Sequence, residues 1–234
     1  MGTHTFRLAT LVDTPADEVF AWHMRPGALE RLTPAWAHAE VLERRGGPAD
    51  GGTVTLQVRR GPTRFRWTLR HTDYEEGRLF RDEQVDGPLG SWVHTHRFTP
   101  QGEGCLVEDE VEWSSGSGAT GLIPDGLVTR DLASLFAFRH HRLRNDLALL
   151  RRYGAGRPLR VGITGSSGFL GTQLRHLLTT QGHSVLPIRR RRPAEGETAA
   201  FWNPHTGEID THLLEGLDAV VHLAGESIAD GRWT

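Results

Sequence analysis

The sequence predicts an α+β domain, a seven-stranded antiparallel sheet around a C-terminal helix, followed by part of an α/β fold with parallel strands. Three observations carry this. Runs of alternating apolar and polar residues, separated by Gly, Pro and Asp clusters, fill the chain up to Trp113, as in antiparallel hairpins. From Asp125 to Tyr153, apolar residues recur at spacings of three and four, the mark of an amphipathic helix. Beyond Gly154, the glycines Gly165, Gly168 and Gly171 stand between a β-rich run and a helical one.

The first domain opens with a strand-like run, Thr3 to Val12. In "DTPADEVFAWHM", Thr14 is placed to cap a helix, Pro15 suits its first position, and acids fill the first turn. A second short helix spans Gly27 to Leu32 and ends before Pro34. Strands are expected at Ala37–Arg44, Gly52–Arg59, Arg64–Tyr74, Arg78–Val85, Ser91–Thr99 and Cys105–Trp113. The long helix then presents Leu132, Leu135, Phe136, Arg139, Leu143, Leu147 and Leu150 as one stripe for the sheet to bury. "RRYGAGRP", Arg151 to Pro158, stops that helix at Gly154 and divides the chain into about 1–154 and 158–234.

This order resembles the START-like helix-grip fold of the polyketide-cyclase and Bet v 1-like superfamily. "DTPADEVFAWHMRPGALERLTPAW" is similar to its entry segment and "LFAFRHHRLRNDLALL" to its grip helix. The resemblance implies a cavity between sheet and helix for a hydrophobic small molecule. Strand alternation supplies its candidate lining: Phe65, Trp67 and Leu69 on one strand, Trp92, His94, His96 and Phe98 on another. Cys105, Val107, Asp109, Val111 and Trp113 line a third. These aromatics with a few polar groups suit either a ligand cavity or a filled core. His94 and His96 share a strand face with Asp109 as the one inward acid recognised, and the expectation is structural histidines without a metal. His140 and His141 diverge by about 100° on their helix and are not expected to form a pair.

Composition narrows the classes. Hydrophobic residues are 37% and charged residues 24%, enough apolar content for a packed core and against wholesale disorder. The net charge of −2 gives no global reason to expect nucleic acid, and the arginines of Arg59, Arg60, Arg64, Arg66 and Arg70 read as a solvated sheet face. A single cysteine, Cys105, excludes an intrachain disulfide and a Cys-rich zinc site. "MGTHTFRLATLV" lacks the pattern of a signal peptide, and Phe6 stands where a myristoylation signal needs Ser or Thr. No run approaches about 18 apolar residues. The expectation is a soluble, cytoplasmic protein.

In the second domain, "LRVGITG" is a strand ending in a loop, and Phe169 to Thr180 is a helix candidate. Each glycine has a physical use. Gly165 permits the turn off the strand, Gly168 lets backbone approach a pyrophosphate, and Gly171 allows close packing of the helix. Ser166, Ser167, Phe169 and Leu170 complete a loop whose N–H groups and helix dipole would face phosphates. The second strand "SVLPIR" ends at Arg189, about twenty residues on, where an NAD site places an acid on the ribose hydroxyls. Here "IRRRRP" offers Arg189 and Arg190 instead, suited to a 2′-phosphate. The reading is NADP in preference to NAD.

"TGSSGFLG" resembles the fingerprint of the extended short-chain dehydrogenases/reductases, the NAD-dependent epimerase/dehydratase family. "LDAVVHLAG" is similar to that family's fourth strand, which implies that Leu223, Ala224 and Gly225 line the cofactor cleft. The resemblance also places Asn203, after the strand "AAFW", near the adenine. "AAFWNPHTGEIDTHLLEGLDAVVHLAGESIADGRWT" resembles an atypical epimerase-family subgroup in which a START-like domain precedes the Rossmann domain.

Such enzymes use a Tyr-x-x-x-Lys pair. This chain has only Tyr74 and Tyr153, both before the glycine loop, and no lysine, so no catalytic residue is assigned. Ending after a fourth parallel strand should leave Val220, Val221 and Leu223 beside an open edge. The expectation is a fragment of a longer protein, or a half domain completed by another chain, which leaves a homo-oligomer open. Two readings follow: the N-terminal portion of an NADP-dependent oxidoreductase, or a ligand-binding or redox-sensing module.

Overall fold

The computed structural model describes residues 2–116, 125–154 and 156–225. It divides into two compact units, Met1–Met24 with Leu32–Tyr153, and Arg25–Arg31 with Gly154–Thr234.

In chain order the first elements are β1 (His4–Val12), α1 (Ala16–Met24), α2 (Ala28–Arg31), β2 (Ala39–Arg45), β3 (Thr53–Arg60), β4 (Thr63–Glu75), β5 (Leu79–Asp86), β6 (Ser91–Gln101), β7 (Gly104–Ser114) and α3 (Asp125–Tyr153). The strands form one seven-stranded antiparallel sheet in the order β1-β7-β6-β5-β4-β3-β2. Five of the six links join neighbours in sequence, whereas the sixth pairs β1 with β7, the first strand with the last. Period-two alternation is clearest on β7, where Cys105, Val107, Asp109, Val111 and Trp113 are all buried and the residues between them are not. The predicted α+β helix-grip fold is the observed one.

The helix α3 has the predicted bounds, and Leu132, Phe136, Leu143, Leu147 and Leu150 of the predicted stripe are buried. Leu135 and Arg139 of that stripe are only half-buried. Counting in steps of four from Leu132 and Phe136 brings His140 to the core, and Arg139 stays half-buried at its margin. Arg139 Nε donates to the Leu32 carbonyl at 3.2 Å while its guanidinium lies 5.1 Å from the Phe136 ring centroid. A long guanidinium can keep its head at the rim in this way, whereas a compact imidazole fits the interior when it has partners.

The second unit contains β8 (Arg160–Thr164), α4 (Phe169–Thr180), β9 (Ser184–Arg189), β10 (Ala200–Asn203), β11 (Glu208–Ile209), α5 (Thr211–Leu214) and β12 (Ala219–His222). Their sheet order is β11-β10-β9-β8-β12. The pairs β10–β9, β9–β8 and β8–β12 are parallel, and β11 folds back antiparallel on β10. From β8 the chain therefore steps outward through β9 and β10, then returns to the opposite side for β12. That reversal at β8 is the switch point at which open α/β sheets form a crevice. Among the described residues β12 is the last strand on this side of the sheet, and its Val220 is 56% exposed.

Candidate functional site

Within the first unit, inward alternation brings polar side chains from three neighbouring strands and the helix into one buried cluster. Strand β5 supplies Asp82, β6 supplies His94 and His96, β7 supplies Asp109, and α3 supplies His140; all five are at most 7% exposed. Asp109 is the hub. Its Oδ1 lies 2.8 Å from His94 Nε2, and its Oδ2 lies 2.7 Å from His140 Nε2. The other His140 nitrogen, Nδ1, meets the Thr10 hydroxyl at 2.7 Å, so β1 joins the network. Asp82 Oδ1 accepts from the Trp92 indole N–H at 3.3 Å, while Oδ2 lies 3.3 Å from His94 Nδ1.

His96 is less well held. Its Nδ1 lies 2.7 Å from Asp109 Oδ1 and its Nε2 3.7 Å from Asp82 Oδ2. Yet the Nδ1 contact is not aligned as a hydrogen bond, which leaves that buried nitrogen unsatisfied. Aromatic rings wall the cluster: Phe80 stacks on His96 at 4.2 Å, and Phe136 meets His94 edge-on at 5.0 Å.

Burial and charge pull the cluster's protonation in opposite directions. Burial would raise both carboxyls. For Asp82 the charge and hydrogen bonds of His94, aided by His96, outweigh it and hold the group below its usual range. For Asp109 the neighbouring His96 ring and the hydrogen bonds from His140 and His94 do the same, well below that range. Burial would lower His94, but it faces a carboxylate with each nitrogen, so the net direction is upward. His23, on α1 beside this cluster, has no such carboxylate contact, and burial followed by the nearby His96 lowers it to about 4. Cys105, expected to face inward, does so; burial pushes its thiol up to about 11, which removes it as a nucleophile at neutral pH.

The candidate lining residues thus fall into three groups. His94, His96, Asp109 and Trp92 share the network. Trp67 packs edge-on against Trp92 at 5.0 Å, and Trp113 stacks on His4 at 4.5 Å. Phe98 joins Phe20, Phe80 and His23 in an aromatic cluster, while Phe65, paired in register with Val58, is half-buried. A surface cleft of about 690 Å³ in this unit is lined by residues including Asp13, Asp17, Gly104 and Arg151, and by none of the lining candidates.

Sequence reasoning missed Asp82, His140 and His23. Alternation of Phe80 and Asp82 on β5 would have exposed the first, and the four-residue step from Phe136 the second. His140 and His141 indeed do not act as a pair: His141 is exposed and contacts Asn145.

In the second unit the glycine loop lies at the carboxyl end of β8. Gly165 has φ +65°, and a Cβ there would meet Leu223 backbone oxygen at 2.6 Å. The end of β12 therefore packs directly on the loop. Thr164 fastens the two, its Oγ1 accepting from Leu223 N and Ala224 N at 3.1 and 3.2 Å and meeting His222 Nδ1 at 2.7 Å. Gly171 is closer still: a Cβ would fall 2.1 Å from Gly165 O and 2.7 Å from Ser166 Cα. Its small size brings α4 against the loop backbone.

Gly168 caps α4, and Gly168 N donates to Gly165 O at 3.0 Å. Ser166 Oγ is buried and has no partner among the described residues, while Ser167, Phe169 and Leu170 are exposed. A cradle of close backbone with an unsatisfied hydroxyl, at a helix N-terminus and a switch point, fits a dinucleotide's phosphates.

The arginines after β9 are not equivalent. Arg189 and Arg191 both contact Glu197, and Arg192 contacts Glu208 while its guanidinium lies 4.3 Å from the Phe201 centroid. Arg190 is exposed and makes no ion pair among the described residues. Asn203 Oδ1 accepts from His205 N at 3.0 Å and so shapes the turn into β11. Gly225 is exposed just past Ala224.

Comparison with known proteins follows this division. Residues 3–148 match the family described as polyketide cyclase/dehydrase and lipid transport. Residues 161–234 match the NAD-dependent epimerase/dehydratase family. An epimerase family protein of Mycobacterium bovis is 49% identical over 74 residues, 32% of this chain and 24% of that protein. One from Bacillus subtilis is 37% identical over 79 residues, 32% of this chain and 25% of that protein. A structure described as the nucleoside-diphosphate sugar epimerase of Corynebacterium glutamicum aligns with 94% of this chain and 46% of its own, at 32% identity and a TM-score of 0.75. The chain thus spans about half of that solved relative, and its matched segment about a quarter of the curated ones. It belongs to the polyketide cyclase/dehydrase and lipid transport family, and carries behind that START-like part a segment of the NAD-dependent epimerase/dehydratase family.

Proposed function

We propose that this chain is the N-terminal portion of an NADP-dependent epimerase-family oxidoreductase, with residues 1–154 as a hydrophobic-ligand domain and 158–234 as the first half of the cofactor domain. The observation that carries the reading is the cradle itself: Gly165 and Gly171 in backbone contact, with the unsatisfied Ser166 hydroxyl beside them. The loop N–H groups would hold the pyrophosphate. Arg190, exposed and unpaired among the described residues, is the group suited to a 2′-phosphate. When bound, the nicotinamide supplies hydride chemistry. This chain's own residues supply binding and orientation, since the family's tyrosine–lysine pair is not in the sequence.

Calorimetric titration of the chain with NADPH and NADH tests the reading. Binding of NADPH about tenfold or more tighter than NADH is expected. No heat with NADPH at millimolar concentration from folded protein would reject the cofactor role.

A further inference from the structure

Asp82 and Asp109 face the same two histidines from opposite sides, at different distances. On the Asp82 side, Oδ2 is 3.3 Å from His94 Nδ1 and 3.7 Å from His96 Nε2. On the Asp109 side, Oδ1 is 2.8 Å from His94 Nε2 and 2.7 Å from His96 Nδ1. One ion bonded to nitrogen and oxygen at about 2.0–2.1 Å in tetrahedral geometry holds its ligand atoms roughly 3.3 Å apart. The Asp82 spacings are at that value and 0.4 Å above it. The Asp109 spacings, a hydrogen bond at His94 and a close unaligned contact at His96, are too short for two atoms sharing an ion.

The two carboxylates therefore sort by role. We propose that Asp82 Oδ2, His94 Nδ1 and His96 Nε2 form a binding site for one divalent transition-metal ion of the zinc class. The ligand atoms of these three side chains lie within 4.8 Å of one another, and all three residues are buried. Asp109 is the outer carboxylate on the far side of both imidazoles: its Oδ1 receives the His94 Nε2–H and lies 2.7 Å from His96 Nδ1, the placement that orients metal-bound histidines.

The surroundings support this division. The Trp92 indole holds Asp82 Oδ1, which leaves Oδ2 turned to the histidines. His140 holds Asp109 Oδ2 and is itself tied to Thr10, so the outer shell is anchored on α3 and β1. His96 Nδ1, in a residue only 7% exposed, makes no aligned hydrogen bond among the described residues, so Asp109 does not by itself fix that ring. Two imidazoles and a carboxylate favour zinc, iron, cobalt or nickel over magnesium or calcium, which take oxygen ligands. His94 faces a carboxylate oxygen with each nitrogen, Asp82 Oδ2 at Nδ1 and Asp109 Oδ1 at Nε2. Binding requires an unprotonated Nδ1, so any proton held there is released to solvent, while Nε2–H stays directed at Asp109 Oδ1.

The test uses the whole chain, stripped with chelator and titrated with Co2+, with Zn2+ as competitor. One equivalent of Co2+ should give visible d–d absorption, which Zn2+ abolishes. His96→Ala and Asp82→Asn should each weaken binding at least about 100-fold, and Asp109→Asn by about 10–100-fold. His141→Ala, on the exposed face of α3, should match the parent chain. Folded parent chain that takes up neither ion, by absorption and elemental analysis, overturns the site regardless of how the variants fold. Undiminished one-equivalent binding in folded His96→Ala and Asp82→Asn overturns it equally, by placing the ion elsewhere.

Discussion

Asp109 on β7 and His140 on α3 meet side chain to side chain, Oδ2 to Nε2 at 2.7 Å, and so bond the sheet to the helix it wraps. Both are nearly solvent-free, at 5% and 4% exposure. Removing the ring would leave a carboxylate oxygen buried without its donor. His140→Ala should lower the unfolding free energy by about 3 kcal/mol in urea denaturation. His140→Gln, whose amide can still donate, should recover part of that. A cost below about 1 kcal/mol for both would show that the contact contributes little.

The glycine loop separates a folding requirement from a binding requirement. A Cβ on Gly171 would meet backbone oxygen at 2.1 Å, so Gly171→Ala must displace α4 and should cost about 1–3 kcal/mol in the second unit. A Cβ on Gly168 would meet its nearest atom, Gly165 O, at 3.3 Å, and its φ of −74° suits any residue. Gly168→Ala should leave thermal stability nearly unchanged yet weaken NADPH binding by about tenfold or more, because the methyl occupies the approach to the phosphates. Equal NADPH affinity in Gly168→Ala and parent chain would remove Gly168 from the cradle.

Arg190 and Arg189 should also separate. Arg190→Ala is expected to reduce the preference for NADPH over NADH by about 10–100-fold, roughly the worth of a charge-assisted phosphate contact, with no change in melting temperature. Arg189→Ala should reduce both stability and affinity, because it also frees Glu197 from a partner. Parallel titrations with the two nucleotides read the difference; an unchanged ratio in both variants would discard the arginine assignment.

His23 gives the chain an acid-labile window. Its folded-state value is lowered from 6.5 to about 4, first by burial. Above pH 6.5 neither state is charged. As pH falls from 6.5 towards 4, the unfolded chain takes up a proton that the folded chain refuses, so stability declines by up to about 3 kcal/mol. His94, raised above 6.5, acts oppositely: its contribution is complete below 6.5 and is lost as pH rises through its folded-state value. In chelator-treated protein, His23→Phe should therefore lose less stability than the parent between pH 6.5 and 4. Parallel curves would show that His23 titrates normally.

Much of this architecture was legible in the chain itself, because it rests on periodicities that need no tertiary knowledge. Alternation along β6 and β7 set Trp92, His94, His96, Phe98, Asp109 and Trp113 on inward faces, and all are buried. The glycine spacing located the loop, and the second strand and the two long helices α3 and α4 begin and end where local signals put them. These features are decided within a turn or a strand, at the range over which propensity and capping act.

What the sequence could not decide was which inward residues become neighbours. Asp82, His94, Asp109 and His140 are separated by up to 58 positions, and only the register of β5 to β6 to β7 and the docking of α3 bring them into one network. A three-residue step from Phe136 reaches Arg139 and a four-residue step reaches His140, and the docking of α3 on the sheet puts His140 in the core and Arg139 at its margin. Likewise the four arginines after β9 look alike in order. The fold of the following loop returns Glu197 to Arg189 and Arg191 and leaves Arg190 exposed. The chain determines its elements through short-range sterics and hydrogen bonding, while the pairing of buried charges depends on long-range packing, which assigns each group its partners and so its protonation.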